Sequence, residues 1–170
     1  MTALFLLLVL TLQDAVRTLA AHPAFTARFT QTLTTVGGET LKDKGTIRFE
    51  WGKGLRFDYQ GKDEKSFVFV PDGCYSRTGG APWDFQPWDE TASDLAPFLF
   101  LLNGKIPKAM DWTAALRGGS WVVESQNPAF SLQMDPATGW PRRLELTQAD
   151  GSLNALEFSG ARAGAEGFLP

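Results

Sequence analysis

The feature that most constrains this chain is a change of period. From Phe25 onwards, apolar and polar residues alternate. Phe25, Ala27 and Phe29 alternate with Thr26, Arg28 and Thr30. Ile47, Phe49 and Trp51 alternate with Thr46, Arg48 and Glu50, and then Leu55, Phe57 and Tyr59 alternate with Arg56 and Asp58. A period of two belongs to strands with one apolar face. Gly52 and Gly54 bracket a tight turn, so the second and third runs read as a β-hairpin. Lys65 to Val70 forms a further strand, ended by Pro71-Asp72-Gly73. Its run Phe67-Val68-Phe69-Val70 is apolar on both faces, which suits a strand that is central or covered on both sides.

Later strands are expected at Trp121 to Ser125, Phe130 to Asp135, Arg142 to Gln148 and Leu153 to Ser159. Asn127-Pro128, Asp135-Pro136, Gly139 and Asp150-Gly151 separate them at the spacing of meandering antiparallel strands. Two other segments break the alternation. Trp83-Asp84-Phe85-Gln86-Pro87-Trp88 reads as a Pro-containing loop with three large rings. Ser93 to Asn103 reads as a helix, with Ser93 as its cap, Asp94 in its first turn and Asn103-Gly104 at its end. Phe98, Leu99, Phe100, Leu101 and Leu102 make it apolar nearly all round, so it must be buried or must cover something apolar.

An earlier helix is expected from Asp14 to His22, with Val16, Leu19 and Ala20 on one stripe and Pro23 as its stop. The fold class is therefore mainly β with short helices (α+β): one long, strongly curved antiparallel sheet with two or three helices. Its length of 170 residues fits one domain. One sheet with one apolar face needs a cover. Two short helices cannot cover so many strands, and the concave area left over is where a ligand could sit.

Residues 3–12, Ala-Leu-Phe-Leu-Leu-Leu-Val-Leu-Thr-Leu, are too short to span a bilayer but match the apolar core of a signal peptide. The alternative is an N-terminal core helix. The lack of a polar face favours export, with residues 1–13 removed and 14–170 forming the domain. No cysteine stands immediately after this run, and Cys74 comes far too late, so the exported product would be soluble rather than lipid-anchored.

Composition removes several functions. A net charge of −3 argues against a nucleic-acid partner. The chain has one cysteine, Cys74, and one histidine, His22. No internal disulfide can form, no residue set suits a metal, and a catalytic triad would have to be built on His22. No pair of carboxylates is spaced for acid–base work. The expectation is no enzyme, no catalytic residue, no metal and no cofactor. Thirteen Phe and six Trp against two Tyr is a surplus of large rings without polar tips. A Phe-rich core or a lined apolar cavity would both use them.

At this point the residues resemble a family. Phe25-Thr26-Ala27-Arg28-Phe29-Thr30-Gln31 resembles the F-x-A-x-F-x-Q signature of the LolA-like outer-membrane lipoprotein carriers, within the LolA/LolB superfamily. Gly45-Thr46 and then Leu55-Arg56-Phe57-Asp58-Tyr59 are similar to its next strand and its F-R-W-[DE]-Y run. Val70-Pro71-Asp72-Gly73 is similar to its V-x-D-G turn. The Ser93–Asn103 helix corresponds in order to the family's helix, and Arg143-Leu144-Glu145-Leu146 and Leu156-Glu157-Phe158 resemble its last strands. Trp51 and Gly52 stand where the family's carriers place a basic residue before a Pro-Gly turn.

The resemblance implies an incomplete β-barrel closed by a helical lid over an apolar cavity. It implies a monomeric periplasmic carrier that takes lipoprotein acyl chains, or another lipid, from an inner-membrane donor transporter to an outer-membrane acceptor. Carriage of another lipid or glycolipid, or an envelope-stress sensory role with the same fold, are the alternatives. The expected cavity lining is Phe29, Phe49, Trp51, Leu55, Phe57, Tyr59, Phe67, Phe69, Phe98, Phe100 and Leu102; ordinary core packing is the competing account for each. Trp83 and Trp88 are candidates for the rim, and Arg56 is expected to be a solvated outward residue. Burying each methylene is worth about 0.8 kcal/mol, so a carrier needs something that competes for its cavity. The Ser93–Asn103 helix is expected to close the empty cavity and to be displaced by cargo.

Overall fold

Each alternating run is a strand, and each strand has an antiparallel partner. The computed structural model describes residues 12–62, 64–87, 112–126, 129–168 and 170. The expected Ser93–Asn103 helix and residues 3–11 of the apolar N-terminal run, like Trp88, lie outside the described residues.

One helix, α1 (Leu12–Ala20), precedes β1 (Ala24–Thr34), β2 (Thr40–Glu50), β3 (Gly54–Tyr59), β4 (Lys65–Val70), β5 (Gly73–Thr78) and β6 (Asp84–Pro87). After these come β7 (Trp112–Arg117), β8 (Ser120–Gln126), β9 (Ala129–Met134), β10 (Pro141–Thr147) and β11 (Leu153–Ala163). They form one sheet in the order β6-β5-β4-β3-β2-β1-β11-β10-β9-β8-β7. The first and last strands meet in the middle of the sheet, and among the described residues β6 and β7 are its two outermost strands. The sheet is open, not closed into a barrel.

Laid flat, eleven strands at about 4.8 Å each would span about 48 Å. A flat face of that width could not be buried by one nine-residue helix. Yet β1–β3, β8–β11 and α1 share one core, in which Phe25, Ile47, Phe49, Leu55, Val123, Leu132 and Leu144 are fully buried. The sheet therefore curls, and its two halves supply each other's cover. Curling follows from strand twist accumulated over many strands. The bulge in β11, between the partners of Thr26 and Arg28, adds to it.

Helix α1 follows its sequence pattern. Asp14 lies in the first turn and pairs with Arg17 at 2.8 Å. Ala15 and Leu19, four residues apart, are buried in the core, with Val16 partly buried beside them. The helix docks where the β9–β10 turn presents Gly139, whose φ is +73°. A Cβ there would lie 2.7 Å from the Leu19 nitrogen. Trp140 then closes the joint by donating Nε1–H to the His22 carbonyl at 3.2 Å.

Three strands were not expected. β6 lies inside the segment read as a Trp-rich loop. β5 has no apolar alternation, because Cys74, Ser76 and Thr78 occupy its inner register. β7 does alternate, with Trp112, Ala114 and Leu116 in register with Ser125, Val123 and Trp121 of β8.

Candidate functional site

The inner face is built by register. Phe25 pairs with Phe49 and Phe49 with Leu55, so these three share a row across β1, β2 and β3; Leu55 continues it to Phe69 in β4. Ala27, Ile47, Phe57 and Phe67 form the next row. Phe29, Gly45 and Tyr59 form the third. The rings meet edge to face: Phe29 lies 5.3 Å from Phe57 and 5.0 Å from Tyr59, Phe57 lies 6.1 Å from Phe69, and Tyr59 lies 5.9 Å from Phe67. Such pairs contribute about 0.5–1.5 kcal/mol beyond their buried area. Gly45 makes the arrangement possible. A Cβ on it would stand 2.8 Å from the Phe29 ring and 2.1 Å from the Asp58 carbonyl oxygen.

The expected lining residues divide in two. Phe29, Phe49, Leu55 and Phe57 are buried within the core. Trp51, Tyr59 and Phe69 are partly exposed and pack against that core, and Phe67, also partly exposed, stacks on Phe69 and meets Tyr59 edge to face. Trp51 sits beyond the end of β2, its ring 6.5 Å from Phe49, and its N–H donates to the Pro23 carbonyl. Phe98, Phe100 and Leu102 lie outside the described residues. The opposite wall is largely aliphatic: Leu132, Met134, Leu144, Leu146 and Leu156, with Trp112, Trp121 and Phe130. Two neighbours in this wall, Trp112 Nε1 and Ser125 Oγ, are buried without a hydrogen-bond partner among the described residues.

At one end of the face the lining turns polar. Gln31, Asp43, Tyr59, Gln60, Gly61, Lys62, Lys65 and Phe67 surround a cavity of about 400 Å³. The Tyr59 hydroxyl donates to Gln31 Oε1 at 2.8 Å, and Gln31 Nε2 donates to Asn154 Oδ1 at 2.9 Å. This relay ties β3, β1 and β11 across the inner face. Burial, with a smaller contribution from the Asp43 charge, pushes the Tyr59 phenol up to about 12, so it stays a donor at neutral pH. Sequence reasoning missed the role of Gln31, Asp43, Lys62, Lys65 and Asn154. The signal was available for two of them: β1 and β2 continue their register past Phe29 and Gly45, which puts Gln31 opposite Asp43 on the inner face.

Arg56 corrects an expectation. It points outward, but its side chain is only 12% exposed. It donates to Asp58 at 2.9 Å and to the Gly167 carbonyl at 2.9 Å. Arg48 and Ser66 also donate to Asp58. Burial alone would raise the Asp58 carboxyl, but these hydrogen bonds and the two arginine charges outweigh it and hold the group below the usual aspartate range. Trp83 lies on this outer side, with Arg56 and Arg77 over its ring at 5.4 and 4.6 Å. The bond to Gly167 anchors the C-terminal segment to the outside of β3. Val68 is buried on that face, apart from the main core, which accounts for the doubly apolar β4; Phe168, next to Gly167, is also buried outside that core.

The reactive singletons are engaged elsewhere. His22 Nδ1 lies 3.1 Å from the Thr18 carbonyl, and its ring meets Trp140 at 6.0 Å. Burial pushes the Cys74 thiol up, only partly offset by a backbone hydrogen bond from Val68, which works against thiolate chemistry. Among the described residues no three His, Cys, Asp or Glu side chains are placed to hold a metal ion, and no helix is long and apolar enough to cross a membrane.

No family model matches the sequence, and no curated protein matches it. Solved structures are similar at low identity. The LolA superfamily protein NE2245 from Nitrosomonas europaea is 7% identical over 95% of this chain and 96% of its own, with a TM-score of 0.48. A putative outer membrane lipoprotein-sorting protein domain from Vibrio parahaemolyticus is 12% identical over 94% of each chain, with a TM-score of 0.45. The MucA/MucB complex of Pseudomonas aeruginosa includes a chain 16% identical over 91% of this one and 57% of its own, with a TM-score of 0.48.

Proposed function

We propose that this chain is a non-enzymatic periplasmic carrier that holds the acyl chains of lipoproteins against the inner face of its open sheet. In this reading it acts as a monomer and moves cargo between an inner-membrane donor and an outer-membrane acceptor. The observation that carries the proposal is the inner face itself. It is aromatic from β1 to β4 and curls without closing, and among the described residues one nine-residue helix covers it. Trp51, Tyr59, Phe67 and Phe69 stay partly exposed on it, so apolar chains have rings to lie against without unfolding the core. The lipoprotein part of the reading is supported by the ordered motifs from Phe25 to Phe158.

Acyl chains bind here by burial, at about 25 cal/mol per Å² of apolar surface removed from water. The same rings pack on one another when the cavity is empty. Loading therefore exchanges one set of apolar contacts for another, and net affinity stays low enough for release. In this reading the 93–103 segment is the lid that makes the competing contacts.

The test is mass spectrometry of whatever co-purifies with the protein from its own periplasm. Triacylated lipoprotein is the expected result. Phospholipid or glycolipid without lipoprotein would overturn the cargo and keep the carrier. No bound lipid, together with no uptake on challenge with an acylated peptide, would overturn the carrier as well.

A further inference from the structure

The polar end of the inner face asks for a ligand that the lipoprotein reading does not use. Its floor is aromatic, made by Tyr59 and Phe67, and Tyr59 continues directly into the buried core through Phe29. Its walls carry charges of both signs: Lys62 and Lys65 on the β3–β4 side and Asp43 on β2. None of the ion pairs among the described residues includes Lys62, Lys65 or Asp43. On the outer face the reverse holds, with Arg48 and Arg56 paired to Asp58, and Arg143 to Glu145 and Glu157.

We propose that this cavity is a headgroup subsite for a zwitterionic phospholipid, so that the trough takes diacyl phospholipid as a second class of cargo. The lysine ammonium groups meet the phosphate. Asp43 and the Tyr59 and Phe67 ring faces meet the headgroup ammonium, by charge and by cation–π attraction. The chains run from the cavity over Phe67 towards Phe57 and Phe69. A cavity of about 400 Å³ is of the size that holds small ligands. A headgroup at the mouth leaves both its charges near water, so neither has to be buried unpaired. The inference rests on the acyl-chain reading of the trough but not on lipoprotein as cargo.

The test titrates the full chain with three single-chain lipids of equal length, below their micelle concentrations, and follows tryptophan fluorescence. The three are lysophosphatidylethanolamine, lysophosphatidylglycerol and a neutral monoacylglycerol. The ethanolamine lipid is expected to bind about tenfold tighter than the monoacylglycerol, as two screened charge contacts allow, and more tightly than the glycerol lipid, which brings no ammonium to Asp43. The double variant Lys62→Glu/Lys65→Glu should remove most of that ratio. Asp43→Lys should reverse the preference towards the anionic glycerol lipid; Asp43→Asn, which alters the fold less, should at least abolish the preference for ethanolamine. Equal affinity for all three lipids would overturn the subsite while leaving the acyl carrier standing. No binding of any of them would overturn both. Free phosphoethanolamine competing as well as the lipid would show that the site serves a soluble phosphate compound and would overturn the lipid assignment.

Discussion

Asp58 shows how much one carboxylate holds on the outer face. It accepts from Arg48, Arg56 and Ser66, and through Arg56 it fixes the C-terminal segment at Gly167. Asp58→Asn removes the charge that both arginines face. It should cost about 2 kcal/mol, less than a fully buried pair because the group is partly exposed. Chemical denaturation at neutral pH would measure it. The folded pKa lies below the ordinary aspartate value of 3.8. The unfolded chain therefore takes up protons first as pH falls. The stabilisation is complete above that value and is lost as pH drops through the folded pKa. The wild type and Asp58→Asn should consequently converge in stability below pH 3.8; a constant gap would mean the charge is not what the arginines require. Gly45 makes a different demand. An alanine there would press on the Asp58 carbonyl and the Phe29 ring. Gly45→Ala should destabilise by about 2–3 kcal/mol, as over-packing does. Ser125 runs the other way: its hydroxyl is buried with no partner among the described residues, so Ser125→Ala should be neutral or stabilising by up to about 1 kcal/mol.

At the scale of elements, what the sequence disclosed depended on whether one face of a strand was apolar. β1, β2, β3 and β4 were legible because Phe25 to Phe69 place their rings on alternate residues. β8 to β11 were legible for the same reason, with aliphatic residues and clear turns. β5 was not, because its inner register is Cys74, Ser76 and Thr78 while Tyr75 points outward to Phe85, at 4.7 Å. A strand that puts small polar groups inside and a ring outside defeats a search for buried alternation. β6 was hidden by its Trp and Pro neighbours. The lining of the site was legible as a set of rings, but its polar end was not. That end is made by Gln31, Asp43 and Lys65, polar residues at apolar-register positions, and only the pairing of strands brings them together. Helix α1 was legible, but not where it docks. Its place is set by Gly139, more than a hundred residues later, which lets the Leu19 backbone come close. Leu19→Ala should therefore cost about 2–4 kcal/mol, the range for a core leucine. Gly139→Ala should cost a comparable amount through both its positive φ and the clash. If either variant unfolds at the wild-type denaturant midpoint, α1 is not part of the cooperative core.

The whole molecule is one open sheet asked to be both core and container, and this sets how it can bind. In a closed barrel the interior is either filled or empty. Here Phe29, Phe49, Leu55 and Phe57 are packed as core, while the margin is partly exposed: Tyr59, Phe67 and Phe69 lie on β3 and β4, on the β6 side of that core, and Trp51 lies beyond the end of β2. The margin can change partners without dissolving the centre. Substituting the margin should thus separate binding from stability. Phe67→Ser/Phe69→Ser removes two partly exposed rings and should cost about 1–3 kcal/mol of stability, less than the same change at two core positions. It should weaken binding of an acylated peptide at least about tenfold, since two large rings leave the contact surface. Phe57→Ser, in the packed centre, should instead destabilise by about 3 kcal/mol or more. Thermal unfolding and a fluorescence titration on the same three proteins would distinguish the two behaviours. Equal losses of binding and stability in both would mean that the face is only a core. Hydrogen exchange extends the test to the lid. Acyl loading should raise exchange in residues 93–103 if that segment packs on the empty face and is displaced by cargo. Unchanged exchange there, with lipid demonstrably bound, would leave the margin rings as the binding surface and remove the lid from the mechanism.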